Sequence, residues 1–200
     1  MVLRGIGRVF ITVGLLVLMF LGYQLYGTNA VTGKHQEALA ADLQKSWELS
    51  PGSAGAAPGT GGAMPDPGQG IAVMQIPKIA VDSVIVEGTE VNDLKKGPGH
   101  YRDTAFPGQL GNVVISGHRT TYGAPFYRLD ELKKDDEIIM KDSSGTYKYT
   151  VIESKIVAPT DLSVVVPSTD ARLTLTTCHP RFSARQRLII VAALQGTPRQ

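Results

Sequence analysis

Cysteine is almost absent from this chain of 200 residues, in which Cys178 is the single example. A lone thiol cannot form half of an internal disulfide. It is therefore a small buried hydrophobe, a partner in an intermolecular bond, or a reactive group. Its position favours none of these three by itself: Cys178 ends the run LTLTTC and is followed by a loop rich in arginine.

The chain also lacks a large net charge of either sign. The formal net charge is +2 at pH 7, which argues against a nucleic-acid binder that works by neutralising phosphates. Cys178 and His179 lack a second pair of ligands at zinc spacing, so we predict no metal site there. The acidic run Asp135–Glu137 is interpreted as a solvated turn before a strand, and we expect no cofactor.

Charge is absent altogether from residues 9–26, VFITVGLLVLMFLGYQLY. As a helix this run would span about 27 Å, close to the ~30 Å hydrocarbon core of a bilayer. Arg4 and Arg8 precede it, so residues 1–8 are expected in the cytoplasm and the rest of the chain outside. A cleaved signal peptide is the alternative, but its apolar region is shorter, about 7–15 residues. We expect a single-pass anchor in the cell membrane.

Two further segments precede the globular part. Residues 27–50 place Leu39, Leu43 and Trp47 at helical spacing, which predicts a membrane-proximal stalk helix. A coiled-coil dimer seam is an alternative, for which the run is short. Residues 51–70 consist largely of glycine, proline and alanine, so we expect a flexible linker that tethers the following domain.

Residues 71–196 have the composition of a globular β domain, with a short tail at 197–200. Long amphipathic helices are missing from it, whereas seven β-rich runs recur between turn signals: IAVMQI, SVIVEG, NVVISG, EIIMK, TYKYTVIES, RLTLTT and RLIIVAAL. The connection KDSSGT predicts a hairpin with Gly145 in its turn. Seven or eight short strands in about 125 residues favour a small β-barrel or sandwich.

Cys178 ends one of these runs, and Arg187 begins the next, nine positions later. If the two strands are antiparallel neighbours, the two residues face each other with Cβ atoms about 4.5–5.5 Å apart. A guanidinium held there could stabilise a thiolate, or the oxyanion formed when that thiolate attacks a carbonyl. Arg181 and Arg185 lie within the connecting loop and are less well placed.

A cysteine nucleophile needs an acid or base nearby, and the chain contains four histidines. His35 lies in the predicted stalk and is too remote. His179 follows the cysteine directly, so its side chain should point to the opposite face of the strand. His118 ends the run GNVVISGH, where a side chain can project into a cleft. We therefore select His118 and interpret His100 and His179 as surface or structural residues.

Taken together, these motifs closely resemble the sortases, above all the class E type of Gram-positive bacteria. The resemblance covers residues 75–193 and rests on LTLTTC followed by RLIIV, on NVVISGHRTTYGAPFYRLDEL, and on IPKIAVDSVIVEG. It implies a closed eight-stranded sortase-type β-barrel with short helices. It also implies that Cys178 is the nucleophile, His118 the general acid/base and Arg187 the oxyanion-binding residue.

The resemblance further implies a reaction, that of a cysteine transpeptidase. The thiolate would attack the Thr–Gly carbonyl of a C-terminal sorting signal, of the type Leu-Pro-x-Thr-Gly or Leu-Ala-x-Thr-Gly, on a secreted protein. An amino group of a cell-wall precursor such as lipid II would then resolve the thioester. The expected partners are therefore sorting-signal proteins and a cell-wall amine acceptor.

Two other readings remain open at this point. One is a membrane-tethered β domain that only binds a partner, with an inert cysteine. The other is a different cysteine enzyme. Papain-like enzymes place the nucleophile early, on a helix, whereas the order here is His118, Cys178, Arg187. L,D-transpeptidases carry the cysteine in a Ser-His-Gly-Cys context, which this sequence lacks.

Overall fold

Two helices and eight strands make up most of the computed structural model, which describes residues 2–23, 27–49 and 64–199. The helices are α1 (Val2–Gly22) and α2 (Thr28–Leu49), with a short third helix, α3 (Val91–Leu94). The strands are β1 (Gly70–Ile76), β2 (Val81–Glu87), β3 (Gly99–His100), β4 (Gly111–Ser116), β5 (Glu137–Asp142), β6 (Gly145–Val157), β7 (Ala171–His179) and β8 (Gln186–Leu194).

The eight strands form a closed barrel in the order β1-β2-β3-β4-β7-β8-β6-β5. Closure follows because β1 pairs with β2 on one side and with β5 on the other. The pairs β2–β3 and β4–β7 are parallel, and the remaining pairs are antiparallel. The predicted mainly-β barrel is therefore confirmed. Each of the seven predicted runs forms a strand, whereas β3, only two residues long, has no periodicity to detect.

Side chains at alternate positions of the strands point into the barrel and form the hydrophobic core. Tyr149 and Val151 of β6 are fully buried, as are Leu173 and Leu175 of β7. The predicted hairpin is also confirmed, since β5 and β6 pair in register up to Asp142 and Gly145. The Asp142 carboxylate accepts hydrogen bonds from the backbone N–H groups of residues 144 and 145, which stabilises a tight turn.

Helix α1 is largely apolar, with Arg4 and Arg8 near its start. Its stretch Arg4–Gly22, 19 residues long, has a mean hydropathy of 2.1 and no buried residue. By length and composition it can cross a membrane. The predicted span, residues 9–26, extends beyond this helix, and its residues 24–26 lie outside the part of the chain that the structure describes.

Helix α2 is docked on the outside of the barrel rather than standing clear of it. Gln36 Nε2 donates to the carbonyls of Val84 (3.0 Å) and Lys96 (2.8 Å), and its Oε1 accepts from Val84 N–H (2.7 Å). Leu43 is only 4% exposed. The predicted helix is present, but it differs from a free stalk because its side chains satisfy outward-facing backbone groups of β2.

The barrel also begins and ends further out than the predicted limits of 71–196. Residues 51–63 of the predicted linker lie outside the described residues, but Met64 packs against the core. Gly68 N–H bonds to Glu87 carbonyl at 2.7 Å, which holds the chain against β2. At the other end, Arg199 N–H donates to the carbonyl of Gly108 at 2.8 Å, so the short tail contacts the barrel as well.

Candidate active site

Strands β4 and β7 carry the two candidate catalytic side chains to the same end of the barrel. They are parallel neighbours, and their register pairs Ser116 with Thr176. His118 and Cys178 therefore each lie two residues beyond a paired position. The chains stay together past the ladder, because Gly117 N–H donates to Thr176 carbonyl (3.1 Å) and Thr177 Oγ1 donates to Gly117 carbonyl (2.7 Å).

His118 and Cys178 line one open cavity of about 380 Å³. The complete lining consists of residues from the β4 end and from the β7–β8 loop: His118, Arg119, Thr120, Thr121, Cys178, Phe182, Ser183 and Ala184. Cys178 is a free thiol and is half-buried. An imidazole and a thiol in one accessible cleft form the pair that nucleophilic cysteine chemistry requires.

Gly117 allows the chain that carries His118 to lie close to the core. A Cβ atom at this position would lie 2.5 Å from the ring of Phe126, which is fully buried. Phe126 in turn donates its N–H to the carbonyl of His118 at 3.2 Å. The residue before the histidine is therefore small for a steric reason, and the backbone of His118 is fixed on both sides.

The environment of the His118 ring favours its neutral form. The ring packs against Tyr122, with centroids 5.0 Å apart and planes tilted by 41°. Burial lowers the pKa of His118 below its usual value of 6.5, because desolvation disfavours the imidazolium. Nε2 is buried and has no hydrogen-bond partner among the described residues. At neutral pH the ring is therefore able to accept a proton.

Arg187 lies opposite Cys178 in the antiparallel pair β7–β8. The register predicted from the sequence is therefore confirmed. The guanidinium does not belong to the lining of the cavity: its Nη1 donates to the carbonyls of Ala184 (3.0 Å) and Gln186 (3.1 Å). Arg187 therefore lies beside the cysteine, but the Nη1 group of its guanidinium is bound to the β7–β8 loop.

The other two histidines of the barrel, His100 and His179, are not part of the cavity lining. His100 is completely buried, and its ring nitrogens contact the Glu87 carboxylate and the Ala105 carbonyl, both at 2.9 Å. It is a structural residue. His179, half-buried, lies opposite Gln186 at the end of β7. Of the four histidines, His118 is the one that lines the same cavity as the thiol.

Arg119 is a further residue of the site that no sequence pattern indicated. It directly follows His118 and is only 2% exposed. Its Nη1 donates to the carbonyl of Cys178 at 3.2 Å, and its Nε donates to the carbonyl of Tyr127 at 3.2 Å. An arginine in a polar loop is ordinarily exposed. Only its position beside the candidate histidine could have drawn attention to it.

Comparisons with known proteins point to one family. The family model described as the sortase domain matches residues 74–195. Among curated proteins, sortase D of Bacillus subtilis is 35% identical over 173 residues, covering 85% of this chain and 86% of its own length. Sortase SrtE1 of Streptomyces coelicolor is 34% identical and covers 94% of this chain, which spans 55% of that protein.

Solved structures give the same picture for the fold. Sortase E from Streptomyces avermitilis matches with a TM-score of 0.61 and 36% identity, over 66% of this chain and 91% of that one. A sortase D5 transpeptidase from Clostridium perfringens matches with a TM-score of 0.64 and 28% identity, over 85% of this chain and 99% of that one. Both class D and class E proteins are therefore similar to this chain.

Proposed function

Because the chain belongs to the sortase family of cysteine transpeptidases, we propose that it cleaves a C-terminal sorting signal through a thioacyl intermediate on Cys178. The signal is of the Leu-Pro-x-Thr-Gly or Leu-Ala-x-Thr-Gly type and is carried by a secreted protein. The observation that supports this most strongly is the placement of His118 and Cys178 in one cavity, at the ends of two register-locked strands.

In the first half-reaction, neutral His118 takes the proton of the Cys178 thiol. The thiolate attacks the carbonyl carbon of the threonine and forms a C–S bond. The C–N bond to glycine then breaks, and the His118 imidazolium gives its proton to the leaving amine. The products are a thioester on Cys178 and a released peptide that begins with glycine. The lowered pKa of His118 supports its first role, since it leaves the ring free to accept the proton.

In the second half-reaction, an amino group of a cell-wall precursor such as lipid II attacks the thioester. His118 takes a proton from that amine, and a new amide bond forms as the C–S bond of the thioester breaks. The His118 imidazolium then returns the proton to the Cys178 thiolate, which regenerates the thiol and the neutral ring. The Thr–Gly bond is thereby exchanged for a bond between threonine and the acceptor. No cofactor is needed, because one peptide bond replaces another.

Arg187 is proposed to stabilise the oxyanion that develops in both tetrahedral intermediates. Its position opposite Cys178 supports this role. Because Nη1 is bonded to loop carbonyls, the donors left for the oxyanion are those on Nε and Nη2. A guanidinium offers paired donors in a planar arrangement, which matches a localised oxyanion.

The test of this proposal is mass spectrometry of the reaction products. The full chain, in detergent, is incubated with peptides containing Leu-Pro-x-Thr-Gly or Leu-Ala-x-Thr-Gly and with candidate amines. We expect cleavage between threonine and glycine, with the amine attached to threonine. Cleavage at another bond, or a ligated product from a Cys178→Ala variant, would refute the assignment.

The location of the enzyme is part of the proposal. Arg4 and Arg8 lie at the start of the apolar helix, and positive residues favour the cytoplasmic side. The barrel would then lie outside the membrane, where sorting signals and cell-wall precursors are found. Protease added to cells stripped of their wall should release the barrel. Protection of the barrel in that experiment would reverse the topology.

A further inference from the structure

Arg119 carries a positive charge that is buried beside the candidate active site. Its side chain is 1% exposed, and removing a guanidinium from water is costly unless partners compensate. It also directly follows His118, so its backbone is continuous with that of the proposed acid/base. The partners that compensate its charge therefore determine how the His118 segment is held.

Three groups surround the guanidinium: two come from the segment that follows β4, and one comes from the end of β7. Nη1 donates to the carbonyl of Cys178, and Nε donates to the carbonyl of Tyr127, both at 3.2 Å. Nη2 lies 2.9 Å from Oδ1 of Asp130. The geometry of this third contact does not meet that of a hydrogen bond, so we describe it as an ion pair.

The Asp130 carboxylate is shared with a second arginine. Arg181, from the β7–β8 loop, donates through Nη2 to Asp130 (2.9 Å) and through Nε to the Tyr127 carbonyl (3.2 Å). The pKa of Asp130 lies below its usual value: partial burial opposes ionisation, but the hydrogen bond from Arg181 and the charge of Arg119 outweigh it. Asp130 therefore stays ionised and compensates the buried guanidinium.

The backbone contact to Cys178 is the notable one. Here one planar guanidinium joins the residue after His118 to the main chain of the nucleophile itself. Because the donors of a guanidinium have fixed relative directions, this contact constrains the position of Cys178 relative to the His118 segment.

We propose that Arg119 is a positioning residue that holds the backbone of Cys178 against the segment carrying His118, so that the thiol and the imidazole keep a fixed relative position in the cavity that they share. This inference rests on the proposed function. It does not give Arg119 contact with the reacting atoms. Its effect is on geometry, and small displacements of reacting groups, of about 1 Å, can reduce rates by about 10²-fold.

The experiment compares two reactions of the same thiol in the full chain. Acylation by a sorting peptide in a single turnover needs both Cys178 and a correctly placed His118. Alkylation by iodoacetamide needs only the thiol. For Arg119→Gln, we expect acylation at saturating peptide to fall by about 10²-fold, whereas alkylation at high pH stays within about threefold of the parent.

Two variants accompany this comparison. Arg119→Lys keeps the charge near Asp130, but a single ammonium cannot reproduce the fixed fork of donors, so we expect an intermediate loss of about 10-fold. Arg128→Gln is the matched control, because Arg128 is exposed and pairs with Glu131 in the same short turn. It should acylate as fast as the parent. If Arg119→Gln does not fold, Arg119→Lys carries the comparison.

Hydrogen exchange provides a readout that does not depend on any peptide. Arg119→Gln should speed amide exchange in residues 118–130 while leaving β1 unchanged. Unchanged acylation, or equal losses of acylation and alkylation that follow the unfolded fraction, would overturn the inference. So would unchanged exchange around residues 118–130. If the parent chain itself does not acylate, the proposed function fails, and the exchange result still decides whether Arg119 holds the segment.

Discussion

Cys178 and Arg187 lie directly opposite each other across the antiparallel pair β7–β8, the last two strands of the chain. Opposed residues in such a pair share a face of the sheet, with Cβ atoms about 4.5–5.5 Å apart. The position of the arginine is therefore fixed by the ladder rather than by the loop between the strands. Loop residues such as Arg185 lack this constraint.

This relationship predicts a large effect of a conservative substitution. Arg187→Lys should reduce the rate of acylation by about 10²–10³-fold, the typical cost of removing one oxyanion donor. Lysine keeps the charge but presents a point charge on a flexible stem. The measurement is single-turnover acylation by a short sorting peptide without an acceptor.

The control variants for Arg187 come from the neighbouring loop. Arg185→Lys should acylate like the parent, because Arg185 is exposed. Arg181→Lys should lose little, because a lysine can still pair with Asp130. Similar losses at all three positions that weaken with salt would instead indicate a diffuse basic surface. An Arg187→Lys variant as fast as the parent would exclude an oxyanion role for this residue.

The pKa of His118 gives a second prediction. Burial lowers it below 6.5, and packing against Tyr122 contributes to that burial. Tyr122→Ala should therefore raise the pKa of His118 toward its usual value, as measured by NMR titration. Phe182→Ala, which removes an aromatic residue that is 75% exposed at the same cavity, should leave it unchanged. Equal pKa values in the parent and in the urea-unfolded chain would contradict the effect of burial.

The same shift has a consequence for stability. Because folding lowers the pKa of His118, the unfolded chain binds more protons than the folded chain between that lowered pKa and about pH 6.5. The contribution of this group to the free energy of unfolding therefore decreases as the pH falls through that range. Tyr122→Ala should weaken this pH dependence.

A third prediction concerns the docked helix. Gln36→Ala removes a side chain that satisfies the N–H and C=O of Val84 and the carbonyl of Lys96. It should lower the free energy of unfolding by about 1–3 kcal/mol, the cost of leaving partly buried polar groups unsatisfied. The chain has a single tryptophan, Trp47, and it lies on α2, so its fluorescence in urea reports undocking directly.

The matched control is Gln44→Ala on the same helix. Gln44 is exposed, and among the described residues its side chain donates within the helix, to Glu48 at 3.4 Å. The loss should therefore be within about 0.5 kcal/mol. Both variants replace glutamine by alanine in a helix and therefore change helix propensity equally. Equal stabilities of the two variants would show that the docking contacts contribute nothing.

Much of the barrel could be predicted from the sequence, because alternation and turn residues are local signals. The pairing of Cys178 with Arg187 could be predicted as well. One residue ends a strand, the other begins the next strand, and a single loop connects them. The two-residue β3 could not, because it has no period. The docking of α2 depends on Gln36 meeting β2, far along the chain, and polar contacts of that kind leave no pattern in the sequence.

The residues of the candidate site also differ in whether the sequence indicates them. Cys178 could be identified because it is the one cysteine of the chain. His118 could be identified because it follows an apolar strand. Arg119 was missed because its burial depends on acceptors supplied by Tyr127, Asp130 and Cys178. Local sequence gives no sign that these groups converge. Family membership then decides against the non-catalytic β domain and the unrelated cysteine enzymes that the sequence left open.

The acyl group on Cys178 can be observed by intact-mass spectrometry. The full chain is incubated with a Leu-Pro-x-Thr-Gly or Leu-Ala-x-Thr-Gly peptide and no amine acceptor, then quenched in acid. We predict a mass increase equal to the peptide fragment ending in threonine, mapped to Cys178, released by hydroxylamine, and absent from a folded Cys178→Ala variant. Cleavage of the Thr–Gly bond by that variant, or an adduct on another residue, would show that Cys178 is not the nucleophile.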